Sequence, residues 1–200
     1  MNHVIKTTKR SLAVIVLACA AMLLPGRADA IKYMGLKDAI KHFLPKGAKV
    51  SKVTKTLSAS QLAAVKKRFN LKDKTDYKDV ITAGPHEIYI GRGAGDKAEV
   101  YIFIMEQYWR TCYHKFAVGI SPDGKIIEVA PMELPCPYQR PIAKKSFLNQ
   151  FKGKQIKKGG AVPAHLNKDI DVVTGATASS EATALVARRA LALFEVFFAS

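Results

Sequence analysis

The run Asp171-Val172-Val173-Thr174-Gly175-Ala176-Thr177-Ala178-Ser179-Ser180 gathers five oxygen-bearing side chains around one Gly-Ala pair, just ahead of a long Ala- and Leu-rich stretch. Asp, Thr and Ser before a helix are ordinary N-caps, and Gly175 could serve only to allow a turn. Capping needs one such residue, and the run supplies five. A helix N-terminus presents unpaired backbone N–H groups and a partial positive charge, so it can also hold a phosphate ester. In that reading Gly175 lets a backbone or bulky group come close, and Ala176 keeps the site small. The Thr177 hydroxyl projects from the first turn, and Ser179 and Ser180 complete an oxygen cradle with the nearby amides. No Gly-Lys-Ser/Thr follows, which excludes a P-loop.

The flanking patterns supply the scaffold. The stretch from Ser179 to Phe198 is strongly helical by composition, and Arg188, Arg189 and Glu195 argue against a membrane span. Upstream, β-branched and aromatic runs predict strands over 86–91, 98–106, 112–120 and 125–130. The last two are joined by Ser121-Pro122-Asp123-Gly124, where Pro fixes one φ and Gly permits a positive one. A Pro-rich irregular stretch spans 131–141, a helix 142–151 ends at Gly153, and a basic loop spans 154–167. Near the start, a helix over 36–44 is stopped by Pro45. A second opens at Ser58, with Gln61 placed for a capping box, and runs to about Phe69; 70–84 is a polar connection. The fold class is α+β: an antiparallel sheet of three to five strands, flanking helices and a long C-terminal helix. The expected divisions are 1–30, a signal peptide; 31–85, a basic helical region; and 86–200, the domain that carries the motif.

The address is read from the first thirty residues. Lys6, Lys9 and Arg10 precede an apolar stretch from Leu12 to Pro25, and Ala28-Asp29-Ala30 fits a cleavage site. Two alternatives are an uncleaved anchor and lipidation at Cys19. Loss of residues 1–30 takes four basic residues and one acidic, leaving +13 of the formal +16. Thirteen Lys and Arg lie between Lys32 and Asp79 against Asp38, Asp73, Asp76 and Asp79. This is either a solvated face or a docking surface for an acidic redox partner or a membrane. Export argues against nucleic acid as a partner. Cys112 and Cys136 could pair in an oxidising compartment. The histidines lack metal-ligand spacing, and no Cys-x-x-Cys-His for haem attachment is present.

The motif resembles the FMN-binding domain shared by the C subunit of the sodium-pumping NADH:quinone reductase, the G subunit of the Rnf electron-transport complex and small exported flavoproteins. Their motif runs Asp-x-x-Ser/Thr-Gly-Ala-Thr-x-Ser/Thr. The resemblance extends to Phe43-Leu44-Pro45, the Ser-x-x-Gln helix start, the Ser-Pro-Asp-Gly hairpin and Ser146-Phe147-Leu148-Asn149-Gln150-Phe151-Lys152-Gly153-Lys154. It implies FMN held covalently through a phosphodiester on Thr177, placed there by an exported, Mg-dependent flavin transferase that uses FAD. Asp171, Thr174, Gly175 and Ala176 would be what the transferase reads. One stretch departs: many relatives have Glu-Pro-Tyr-Gly where this chain has Cys136-Pro137-Tyr138-Gln139.

Together the resemblance and the leader imply an exported electron carrier, periplasmic or attached to the outer face of the cytoplasmic membrane. Its redox partner would be acidic or membrane-bound. Tyr101, Phe103, Tyr108, Trp109, Tyr113 and Tyr138 are candidates to pack on the flavin ring, or are ordinary sheet and core residues. Lys144, Lys145 and Arg140 are candidate cations beside it. Cys136 could be a redox thiol, a pocket-lining residue or a disulfide partner. No acid–base pair or activated nucleophile points to a substrate-converting site. A flavin-dependent reductase of a small molecule and a non-redox binding module are the competing classes.

Overall fold

β5 (Ala98–Trp109) and β6 (Cys112–Ile120) are apolar on both faces. Val100, Ile102 and Ala117 pack with Ala39 on one side, while Phe103, Met105, Phe116 and Val118 join the larger core on the other. Strands of this kind need cover on both faces. α1 (Leu36–Phe43) covers the first and α4 (Thr177–Phe198) the second, giving three layers. The architecture comes from a computed structural model and is described for residues 31–69, 77–78, 81–157 and 160–199. The expected signal peptide, much of the 70–84 connection and the Tyr138 side chain lie outside that description.

The fold is α+β with an antiparallel sheet, as its sequence pattern predicts, but the sheet has seven strands rather than three to five. Its order is β1-β7-β6-β5-β4-β2, with β4 at His86–Arg92, β7 at Ile126–Leu134 and β3 paired to the far end of β5. Three strands escape the sequence pattern. β1 (Ile31–Lys32) and β3 (Tyr77–Lys78) have two residues each, too short to show a period. β2 (Lys49–Lys55) is an edge strand carrying Lys49, Lys52 and Lys55, and its low hydrophobicity hides it. Through β2 the basic N-terminal region joins the same sheet as the rest.

β7 also runs four residues past Ala130. Pro131 is tolerated because the β6–β7 register shifts between Lys115 and Phe116, at the kind of irregularity where a strand proline fits. The helix expected over 142–151 is broken into three pieces. A 3₁₀ segment (Pro137–Ala143) is separated from α3 (Lys145–Leu148) by Lys144 in an extended conformation, and a second 3₁₀ turn covers Asn149–Phe151. The capping box is present: Gln61 N–H donates to Ser58 Oγ at 3.2 Å, and Ser58 N–H to Gln61 Oε1 at 2.9 Å. It opens α2 (Ala59–Phe69), which adds Leu62 and Val65 to the larger core.

α4 is buried almost all round from Ser179 to Phe194. Its alanines permit that: Ala182, Ala184, Ala187, Ala190 and Ala192 let neighbours approach on every side. Arg189 meets Met105 and Glu106, and Phe194 meets Tyr101, so α4 runs antiparallel to β5. Its first turn therefore points toward the end of the sheet where β5 turns into β6. Among the described residues no helix is long and apolar enough to cross a membrane.

Candidate functional site

The motif forms a hydrogen-bonded turn followed directly by α4. Ala176 N–H donates to Val173 O at 2.9 Å, closing a four-residue turn with Gly175 in its third position at φ +77°. That conformation favours glycine. A Cβ at Gly175 would meet no protein atom within 4 Å, so within the chain the glycine answers to backbone conformation and not to close packing. Thr174, Gly175 and Thr177 are exposed, and Ala176 is buried in the core.

The two serines part company with Thr177. Ser180 is fully buried; its hydroxyl donates to Ala176 O at 3.0 Å and accepts the Val173 N–H at 3.2 Å. Its own N–H donates to Ala176 O at 2.8 Å. Ser180 thus locks the turn onto the helix, and its amide is already spent within the helix. Ser179 is buried as well, and its carbonyl accepts the Thr183 hydroxyl at 2.8 Å. Asp171 is exposed, and the Gln150 amide group holds its backbone: Asp171 N–H donates to Gln150 Oε1 at 2.7 Å, and Gln150 Nε2 donates to Asp171 O at 3.4 Å. The outward face of the motif is thus made by Thr174, Gly175 and Thr177, with Ser180 behind it.

Thr177 borders a hollow of about 270 Å³, whose other walls include Ala164, His165, Leu166, Asn167, Lys168, Glu181, Ala184 and Arg188. The helical contribution is Thr177, Glu181, Ala184 and Arg188. These positions, four, three and four residues apart, fall on one helix face. The opposite wall is a loop held in an unusual shape. Ala164 and Asn167 have φ of +69° and +60°, left-handed values that cost a non-glycine residue energy. The Asp169 carboxylate accepts the Ala164 N–H at 2.7 Å and the His165 N–H at 2.6 Å, and Lys154 Nζ lies 3.3 Å from it. Burial alone would raise the Asp169 pKa, but these N–H donors and Lys154 outweigh it and hold the carboxyl below its ordinary value.

The hollow is lined by two basic residues, Lys168 and Arg188, and one acidic residue, Glu181. Arg188 is 4% exposed. Burial lowers its pKa, Glu181 and Asp169 oppose that, and a guanidinium keeps its charge at any ordinary pH. His165 is held below its usual value by burial and by the charge of Arg188. A phosphate ester or another anion on Thr177 would lie at the mouth of a hollow that Lys168 and, farther along the same helix face, Arg188 also line, so the residues present suit such a group.

The aromatic and basic candidates from the sequence are scattered. Tyr101 packs on Phe194 and Phe198, and Phe103 is in the core. Phe194 is seventeen residues along α4 from Thr177, roughly 25 Å at 1.5 Å per residue. Tyr108 and Tyr113 face each other, Tyr113 donates to Glu133 Oε2 at 2.7 Å, and Arg110 lies over Trp109. Arg140, Lys144 and Lys145 are exposed, and none of the three borders the hollow. The basic residues that border it are Lys168 and Arg188. The sequence held one signal for Arg188, its helical register with Thr177; His165 and Asp169 lie in a loop whose shape left no local trace.

Cys136 is bonded to Cys112. Gln139 is buried, donating through Nε2 to Tyr113 O at 2.7 Å and accepting the Cys136 N–H at 2.8 Å. The stretch that departs from the resembling family is therefore a staple joining the 3₁₀ segment to β6. A larger hollow, about 660 Å³, is lined by Leu36, Tyr89, Glu106, Lys115 and others, and no motif residue borders it. Here the chemistry locates the site better than size does. Among the described residues no group of three His, Cys, Asp or Glu could hold a metal ion.

Sheet, buried helix, exposed first-turn threonine and a hollow lined by Lys168 and Arg188 define an α+β domain suited to carrying a phosphate ester. Residues 113–192 match the family model of the FMN-binding domain. The fold resembles that of NqrC from Shewanella oneidensis, solved by crystallography, at 15% sequence identity and a TM-score of 0.51. The match covers 75% of this chain and 82% of that one. No curated protein matches the chain.

Proposed function

We propose that the protein is an exported electron carrier with FMN joined to Thr177 through a phosphodiester by an exported flavin transferase. The observation that carries this reading is the exposed Thr177 on the first turn of an otherwise buried helix, bordering a hollow that Lys168 and Arg188 also line. When bound, the flavin supplies one- and two-electron chemistry of its own. The chain's part is to hold and orient it. Gly175 shapes the turn that presents Thr177, and Ser180 keeps that turn fixed. Lys168 and Arg188 attract the anionic portions of the cofactor, and the 164–168 loop restricts water on one side. Asp171, Thr174, Gly175 and Ala176 are the frame a transferase would read. The leader at 1–30 supports export, and the basic excess supports an acidic or membrane-bound redox partner.

The full chain, expressed with its leader and a working flavin transferase, is expected to gain the mass of one FMN less one water. Thr177→Ala abolishes the gain. An unmodified, colourless product from such cells would overturn the reading.

A further inference from the structure

Resting on the attachment proposed above, we infer that the hollow between the 164–168 loop and the Thr177–Arg188 face of α4 seats the isoalloxazine ring, and that Arg188 sets the ring's reduction potential. Several observations on different elements converge on this cavity. Its volume, about 270 Å³, falls just below the usual range of small-molecule sites, roughly 300–1,000 Å³. That suits one ring system and leaves the ribityl phosphate outside, at the exposed threonine. The lining divides in the same way. Leu166 offers apolar surface for the ring beside the buried Ala164 and Ala184, while Asn167, Lys168, Glu181 and Arg188 can meet its polar edge.

The distances agree. Arg188 stands eleven residues beyond Thr177, roughly 16 Å along the helix axis. Helical side chains lean back toward the N-terminus, so the guanidinium reaches toward the threonine and shortens that span. A tether on Thr177 laid along this face brings the far edge of the ring toward Arg188. Reduction places negative charge on that edge. A nearby cation in a water-poor site favours the reduced form by Coulomb attraction. Lys168 and Arg188 supply the positive charges, with Glu181 and Asp169 as partial counterweights and His165 beside them.

The test uses flavinylated full-length protein carrying Arg188→Met, Arg188→Lys or Ala184→Leu, with intact mass measured first. Arg188→Met keeps length and apolar volume but removes the charge, and it is expected to shift the midpoint potential downward in spectroelectrochemical titration. Arg188→Lys retains most of the wild-type potential. Ala184→Leu narrows the hollow, and it is expected to expose the flavin to quenching by acrylamide several-fold more than in wild type. Equal flavin mass in all four proteins with unchanged potential and unchanged quenching overturns the ring seat while leaving attachment intact. A wild-type flavin quenched as readily as free FMN does the same. Absence of flavin mass from the wild type overturns both proposals. Circular dichroism separates a misfolded Ala184→Leu from an unaffected one, and the Arg188 pair decides the question without it.

Discussion

The Asp169 carboxylate accepts the Ala164 N–H at 2.7 Å and thereby holds a non-glycine residue at φ +69°. Replacing Asp169 by Ala removes the acceptor for two backbone amides and the partner of Lys154. The expected loss is about 1–3 kcal/mol in denaturant unfolding. The Asp169 pKa is depressed, so its contribution is present above the unfolded carboxyl value and is lost as pH falls through the lower folded value. Wild type should therefore lose more stability than Asp169→Ala on acidification below about pH 4. Parallel acid curves for the two proteins would contradict this.

Ser180→Ala and Gly175→Ala test the frame separately from the acceptor. Ser180→Ala removes two hydrogen bonds that join the turn to α4, at a cost of about 1–2 kcal/mol. Gly175→Ala strains a left-handed residue by roughly 1–2 kcal/mol. Both variants are expected to slow flavin incorporation in a timed mass assay without abolishing it. Incorporation at the wild-type rate in both would mean the turn is not read as a shape.

His114 is fully buried, and burial pushes its pKa down to about 4 against the opposing hydrogen bond to the Gln107 carbonyl. Between about pH 6.5 and 4 the unfolded chain takes up a proton here that the folded chain refuses. Stability should fall with pH across that window, by at most roughly 1.4 kcal/mol per unit from this residue. His86 and His165 are lowered too, so the diagnostic quantity is the difference from His114→Leu. Denaturation midpoints at pH 7 and 5 should converge in that variant relative to wild type.

The Cys112–Cys136 bond closes a loop across a sequence separation of 24. Its removal by Cys112→Ala with Cys136→Ala is expected to cost about 3 kcal/mol, chiefly by freeing the unfolded chain. A thiol titration of leader-free protein should find none reactive before reduction. One or two free thiols there would place the bond in doubt.

The long strands and helices announced themselves because their periods are long: β5, β6 and α4 bury many apolar residues in sequence. The Ser58–Gln61 box was legible because its partners are three residues apart. β2 was not, since a lysine-bearing edge strand shows little hydrophobic signal. The single helix expected over 142–151 failed at Lys144, where one extended residue splits an otherwise helical pattern. In the site, the place of Thr177 at the start of the long helix could be read directly, whereas the burial of Ser180 and the loop shape fixed by Asp169 depend on contacts that form only in three dimensions.

The motif exists as a shape only after folding. Gly175 turns left-handed, Ser180 is buried beneath Val173, and Gln150 grips Asp171 from twenty-one residues away. An enzyme that acts on Thr177 in this setting meets a finished protein, not a nascent peptide. Colour would then be a certificate of folding. The flavin-to-polypeptide ratio of a preparation should count its correctly folded molecules, and misfolded chains should remain permanently pale.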